Sequence, residues 1–307
     1  MRIVFFGTPS FAIPSLSGIL QVGHEVAAVI TQPDKKKGRH RILTAPPVKE
    51  LAVGRGIPVL QPEKMKDPLF LEELSRISPD VIIVVAYGKI LPPQILGLPP
   101  HGCINVHASL LPKYRGAAPV QWSLICGEKK TGITTMLMNE GLDTGDILYQ
   151  EETDIQDDDT AESLGRRLSG IGASLLLRTI DQLETGKIVP APQTGTPTFA
   201  PPLRKEDGRI KWSRSAKEIF NMVRGMYPWP CAYCTLNGER IKITRVTPLE
   251  GPGRAGRVER TGEELVVGTG DGLISIINLQ PEGKKLMSAR DFMQGRRLKA
   301  GVFFDGQ

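Results

Sequence analysis

Aromatic residues are scarce in this 307-residue sequence, at 6%, and there are only four cysteines. Cys103, Cys126, Cys231 and Cys234 in a chain of this length do not make a disulfide framework. Cys231-Ala-Tyr-Cys234 has the CxxC form, but no second pair or neighbouring histidine completes a zinc set. It also falls where a strand begins, so its two thiols face opposite ways. No stretch approaches the roughly 18 apolar residues that cross a bilayer. Met1 leads into the apolar run Ile3 to Phe6 with no charged segment and long hydrophobic segment in sequence, which predicts no secretory signal. A cytoplasmic protein without a membrane partner is expected. Repeats and low-complexity tracts are missing as well.

The length favours two domains, and the 40% hydrophobic and 23% charged content fits an ordinary globular chain. The net charge of +6 is uneven along the sequence. Residues 1–206 carry 22 Lys and Arg against 22 Asp and Glu, whereas residues 207–307 carry 17 against 11. In the neutral part, Lys35, Lys36, Lys37, Arg39 and Arg41 form a second basic spot, opposed nearby only by Asp34. Two basic surfaces predict a polyanionic partner, because phosphate contacts gain from counterion release. Solvated surface is the plain alternative for either patch alone.

The first 150 residues alternate short apolar runs with helix-like segments, the pattern of a doubly wound, mostly parallel α/β sheet. Strands are expected at 2–6, 26–31, 59–60, 81–86 and 103–106, with helices near 10–21, 46–55 and 67–77. Gly7-Thr8-Pro9-Ser10 lacks the full GxGxxG of a dinucleotide site. Ligands of such sheets bind beyond the carboxyl ends of the strands, here the loops after 6, 31, 86 and 106. Residues 156–186 read as one long helix with Asp157, Asp158 and Asp159 at its positive end. The Pro- and Thr-rich stretch 189–206 reads as a linker. Ser215-Ala-Lys-Glu218 is a capping box for a helix to about Met226, stopped by Tyr227-Pro-Trp-Pro230. Beyond it, short glycine-punctuated β segments suggest a small, OB-like barrel. The expected division is therefore 1–188, linker 189–206 and 207–307.

Chemistry gathers where the strand 103–106 runs out. Alternation puts Asn105 and His107 on one face, so both can reach one atom. An amide donor beside an imidazole suits a reaction in which a carbonyl oxygen turns negative. That is acyl-transfer equipment without an obvious nucleophile. A carboxylate would orient the imidazole or keep it protonated, and Asp143, between Gly141 and Gly145, is a candidate. A structural histidine at a strand end and an Asx turn at Asn105 explain the same residues, and sequence alone does not join Asp143 to His107.

At these residues the chain resembles the 10-formyltetrahydrofolate-dependent formyltransferases. Their pattern is Asn-x-His, then Ser-Leu-Leu-Pro, then an aspartate 36 residues past the histidine, which here is Asp143. The likeness continues through Tyr114-Arg115-Gly116 and Gly141-Leu-Asp-Thr-Gly-Asp146 and covers nearly the whole chain. Phe6-Gly-Thr-Pro-Ser-Phe-Ala12, the basic insertion after Gln32-Pro-Asp34 and residues 207–307 resemble the branch that acts on tRNA rather than on glycinamide ribonucleotide.

The resemblance implies transfer of a formyl group from 10-formyltetrahydrofolate, with no metal, to the free amine of methionine on initiator methionyl-tRNA. Asn105, His107 and Asp143 would be catalytic. Folate would lie against Gly88, Ile90 and Leu91 and against Ser109, Leu110, Leu111 and Pro112. Lys35, Lys36, Lys37, Arg39 and Arg41 would meet tRNA, with Arg39 matching the family's loop arginine, and a monomer is expected. A formyltransferase for a small amine and a folate-responsive RNA-binding protein without catalysis are the rivals. The basic regions argue against the first and the intact Asn105, His107, Asp143 set against the second.

Overall fold

The computed structural model describes residues 1–37 and 42–305, with the backbone alone at Lys37. Arg39, Arg41 and the Lys37 side chain, three of the expected tRNA contacts, lie outside the described residues. The chain divides into two compact units. Met1–Pro119, Lys130–Asp154 and Gly165–Pro201 form the first, and Val120–Lys129, Ile155–Leu164 and the stretch from Pro202 onward form the second.

In the first unit the apolar runs become strands because β-branched residues fit a pleated surface buried on both faces. They are β1 (Arg2–Gly7), β2 (Glu25–Ile30), a short ribbon β3 (Lys35–Lys37) and β4 (Ile42–Thr44), then β5 (Val59–Leu60), β6 (Val81–Val85) and β7 (Cys103–His107). Between them lie α1 (Ile13–Gln21), α2 (Pro47–Gly54), α3 (Pro68–Ile77) and α4 (Pro93–Leu96). Each of these helices has Pro at its first or second position, where a missing N–H costs nothing. The strands β8 (Lys130–Leu137) and β9 (Ile147–Asp154) and α6 (Ala161–Glu184) from Gly165 on complete the unit, whereas α5 (Pro119–Ile125), between β7 and β8, falls beyond Pro119 in the second.

The sheet order is β5-β2-β1-β6-β7-β8-β9. Strands up to β7 are parallel, and β8 and β9 run antiparallel at one edge. Order reverses between β1 and β6, the switch point where such sheets bind ligands. The loops there are tied together. Thr8 Oγ1 donates to the Tyr87 carbonyl at 3.1 Å, Gln32 N–H donates to Thr8 Oγ1 at 3.3 Å, and Gln32 Nε2 donates to the Tyr87 carbonyl at 2.9 Å.

The basic segment expected as a loop is rooted in the β3–β4 ribbon, with Lys36 opposite Leu43. Lys49 Nζ binds both carboxylate oxygens of Asp34 beside the ribbon at 2.9 Å, which holds that carboxyl below its usual range.

The long helix starts later than its sequence suggests. Asp159 closes a turn instead, accepting from Gln156 N–H at 2.8 Å and from Ser163 Oγ at 3.0 Å, and Thr160 and Ser163 cap the helix reciprocally. Short polar side chains compete well with helical backbone at such a position. The 189–206 stretch also differs from a free connection. Ala191 pairs with Ile147, and Thr198 and Ala200 bond along 112–118, so residues up to Pro201 count with the first unit.

In the second unit, α7 (Ala216–Met226) carries the full capping box between Ser215 and Glu218. The strands β10 (Ala232–Leu236), β11 (Glu239–Leu249), β12 (Val258–Arg260), β13 (Leu265–Gly268), β14 (Leu273–Pro281) and β15 (Met287–Ser288) make an antiparallel sheet, followed by α8 (Ala289–Arg296). The order β10-β11-β14-β13-β12 leaves two edges, and the C-terminal segment bridges them. Phe303 pairs with Arg257 beside β12, and Asp305 pairs with Thr235 on β10. That closure gives the sheet its barrel character. Buried Trp212 stacks on Phe304 at 5.9 Å beneath it. Cys231 and Cys234 are buried free thiols, and burial pushes both above the usual thiol range. Among the described residues no helix is long and apolar enough to cross a membrane.

Candidate active site

The face of β7 that carries Asn105 and His107 is identified by what covers the other one. Val106 lies against Gly172 of α6, and Thr135, paired with Val106 across β7 and β8, bonds Thr179 of α6 at 2.9 Å. Alternation then turns Asn105 and His107 away from α6, toward the loops at the strand ends. Thr134, opposite His107, shares that face and anchors the next segment. Its Oγ1 donates to the Ser109 carbonyl at 2.7 Å and accepts from Leu111 N–H at 3.1 Å, while Gln150 Nε2 donates to the Leu111 carbonyl at 2.9 Å. Residues 109–112 are thereby fixed as a rim.

His107 is buried, and its Nε2 lies 3.0 Å from the Tyr114 carbonyl oxygen. A carbonyl only accepts, so Nε2 carries a proton. Nδ1 lies 3.7 Å from Asp143 Oδ2, an ion-pair distance rather than a hydrogen bond. The carboxylate is held first by Gly116 N–H, which donates to Oδ2 at 2.8 Å. The Asn105 amide, half-buried, has no hydrogen-bond partner among the described residues. A donor left open beside an imidazole is available to a reacting oxygen.

Asp143 reaches His107 because the loop from Met138 to Asp146 is bent hard. Asn139 Oδ1 accepts from Gly141 N–H at 3.0 Å and from Thr144 Oγ1 at 2.7 Å, closing an Asx turn. At Gly145 a Cβ would sit 1.7 Å from the Leu137 carbonyl oxygen, so no larger residue fits there. Asp143 itself has φ 51°, in the left-handed region, which aspartate enters more readily than most side chains but only as a single residue. Such a conformation persists only where surrounding contacts over-determine it. Gly116, with φ 125°, would place a Cβ 2.6 Å from the Ala200 carbonyl, and that close approach keeps its N–H aimed at Asp143.

The structure thus brings His107 and Asp143 together and sets Asn105 on the same face of β7 as His107. The expected folate residues divide. Gly88 and Ile90 are exposed in the loop after β6, Ile90 at 78%. Leu91 is packed in the core with Phe6, Tyr87 and Ile95. Ser109 is fully buried, with its hydroxyl spent on the Lys113 carbonyl at 2.6 Å, Leu111 is buried, and Leu110 and Pro112 are half-buried. Lys35 and Lys36 are exposed on the ribbon, and Lys35 Nζ donates to Gln32 Oε1 at 2.8 Å. Sequence reasoning missed Thr134, Gln150 and the Tyr114 carbonyl, which hold the site from outside its motifs and carry no local signal of doing so. It also missed Leu142, an apolar side chain 56% exposed beside Asp143, which its place inside the quoted motif could have flagged.

Comparison with known proteins places the chain in a family. Residues 1–180 match the model described as formyl transferase, and residues 202–297 match that of the formyl transferase C-terminal domain. A methionyl-tRNA formyltransferase of Thermodesulfovibrio yellowstonii is 55% identical over 98% of this chain and 97% of its own. Among solved structures, methionyl-tRNA formyltransferase from Clostridium thermocellum matches with a TM-score of 0.58 at 19% identity, over 94% of this chain and 100% of that one. HypX from Aquifex aeolicus in complex with tetrahydrofolic acid matches with a TM-score of 0.67 at 18% identity. It covers this whole chain, which spans about half of HypX, 51% of its length. At those identities the solved structures speak for the fold alone. With both family models matched in order and a close relative aligned from end to end, the chain belongs to the methionyl-tRNA formyltransferase family.

Proposed function

We propose that this chain transfers the formyl group of 10-formyltetrahydrofolate to the free α-amine of methionine on initiator tRNA, producing N-formylmethionyl-tRNA for translation initiation in the cytoplasm. The observation that carries the reading is the His107–Asp143 pair at the end of β7, with the unpartnered Asn105 amide two residues before His107 on the same strand face. The full-length likeness to methionyl-tRNA formyltransferases supports the choice of acceptor.

The amine attacks the formyl carbon, a new C–N bond forms, and the bond from that carbon to the folate nitrogen breaks. Asn105 donates to the formyl oxygen as its charge grows, without first giving up another partner. His107 donates to the same oxygen once its ring exchanges the Tyr114 carbonyl for it, so its contribution arises in the transition state. Asp143 orients the ring and positions water that passes the amine's proton to the departing folate nitrogen. Gly88 and Ile90, exposed after β6, suit the flat face of a pteridine, and exposed Leu142, next to Asp143, offers it a further apolar surface. Leu91, Ser109 and Leu111 hold the two loops, while Leu110 and Pro112 line the rim.

Lys35 and Lys36, with Lys37, Arg39 and Arg41, are assigned to the acceptor-stem end of the tRNA, and the basic C-terminal unit to backbone phosphates. Affinity for the tRNA should then fall by roughly tenfold or more between about 50 and 200 mM salt, the change expected for two or more phosphate contacts. An affinity indifferent to salt would exclude phosphate-dominated binding. The reaction is tested by incubating the chain with charged initiator tRNA and 10-formyltetrahydrofolate, then hydrolysing the ester. Recovery of N-formylmethionine supports the reading, and recovery of methionine alone contradicts it.

A further inference from the structure

The stretch 191–200 is more than a connection, because it binds both loops that make the site. Its backbone pairs with Ile147 at one end and with Arg115 at the other. Between these, the Gln193 carboxamide joins three residues of the site. Arg115 donates to Gln193 Oε1 from Nε at 3.1 Å and from Nη2 at 2.6 Å. Gln193 Nε2 donates to the carbonyl of Asp143 at 2.9 Å and to that of Gly145 at 2.8 Å.

We propose that Gln193 is a positioning residue for formyl transfer: oriented by Arg115, its carboxamide locks the Asp143–Gly145 turn so that the Asp143 carboxylate faces His107. The proposal rests on the reading of Asp143 above.

The chemistry of the partners fixes the amide's direction. A guanidinium only donates, so Oε1 must face Arg115, and the two Nε2 protons are left for two carbonyls that only accept. Asp143 needs such a lock because its φ of 51° is one that few side chains adopt unaided. The dipeptide Arg115-Gly116 holds it at both ends. Gly116 N–H takes the carboxylate directly, and Arg115 takes the carbonyl through Gln193. Without the amide, the turn can relax toward a right-handed conformation and carry the carboxylate away from the imidazole.

Gln193→Glu keeps the size and the Arg115 contact but loses both donors and sets a carboxylate against two carbonyl oxygens. Its kcat should fall by ~10²-fold, the scale of a small misplacement in a site. KM for folate and for charged tRNA should stay within about twofold, because the Gln193 carboxamide is spent on Arg115, Asp143 and Gly145. As pH is lowered and the introduced carboxyl takes up a proton, it regains a donor, so turnover relative to wild type should rise. Gln193→Met, uncharged and similar in size, should lose as much kcat without that recovery, and it keeps the test open should the charged variant misfold. In an Asp143→Asn background neither change should cost anything further. Near-normal kcat in the Gln193 variants alongside a slow Asp143→Asn would overturn the positioning role alone. Losses that multiply in the double variant would do the same. Normal turnover of Asp143→Asn would take the reading of the site down with it.

Discussion

Asn105→Ala is expected to lower turnover by ~10²–10³-fold while the fold stays intact, the loss of one oxyanion donor worth about 3–4 kcal/mol. The size follows from the state of the amide. It is bound to nothing among the described residues, so its hydrogen bond to the developing oxygen is gained without breaking another. Deleting it also leaves no orphan, because the amide faces the open side of β7 and supports no loop. The fall should therefore appear in kcat, with KM for folate and tRNA little changed. Asn105→Asp keeps the shape and offers an acceptor where a donor is needed, and it should be no better than alanine. Near-normal turnover in either variant would remove Asn105 from the reaction.

His107→Ala and Asp143→Ala should each lower turnover by ~10²–10⁴-fold, the usual range for a positioned proton-transfer group. Removing both should cost little more than removing one. The pair is linked through Nδ1 and Oδ2 at 3.7 Å, and a water held by Asp143 relays a proton to useful effect only while the ring it orients stabilises the developing oxyanion, so the two act as one unit. His107 differs from Asn105 in having a resident partner, the Tyr114 carbonyl. A variant that disturbs that exchange should alter kcat more than substrate affinity. Multiplying losses in the double variant would mean that Asp143 acts on its own.

The fold was legible where a period was strong. The five strands β1, β2, β5, β6 and β7 appear within one residue of their expected limits, because buried β-branched runs tolerate few alternatives, whereas the β3–β4 ribbon was expected as a loop. The capping box at Ser215 and Glu218 likewise stands where the sequence places it. The start of α6 was not legible, since Asp159 could serve a helix end or a turn, and only Gln156 and Ser163 in space decide it. α8 was missed although Ser288 caps it through Asp291 N–H, a signal of the same kind as at Ser215.

In the site, Asn105 and His107 follow from strand alternation and carbonyl chemistry. Asp143 needed a family spacing, because its approach depends on a loop bent at Gly145 and a carboxylate caught by Gly116. The segment 189–206 looked like a linker since proline and threonine carry no period. Its order comes from partners such as Asp143, 50 residues away from Gln193, which no local pattern encodes.

The central claim is that this site moves a formyl group from folate to the methionine amine on initiator tRNA. It is tested most directly by offering the purified chain three acceptors side by side with 10-formyltetrahydrofolate: initiator methionyl-tRNA, glycinamide ribonucleotide and an amino-sugar nucleotide. The account predicts rapid formylation of the charged tRNA, lost in Asn105→Ala, with the small amines left unmodified. Efficient formylation of a small amine with the tRNA untouched would contradict it.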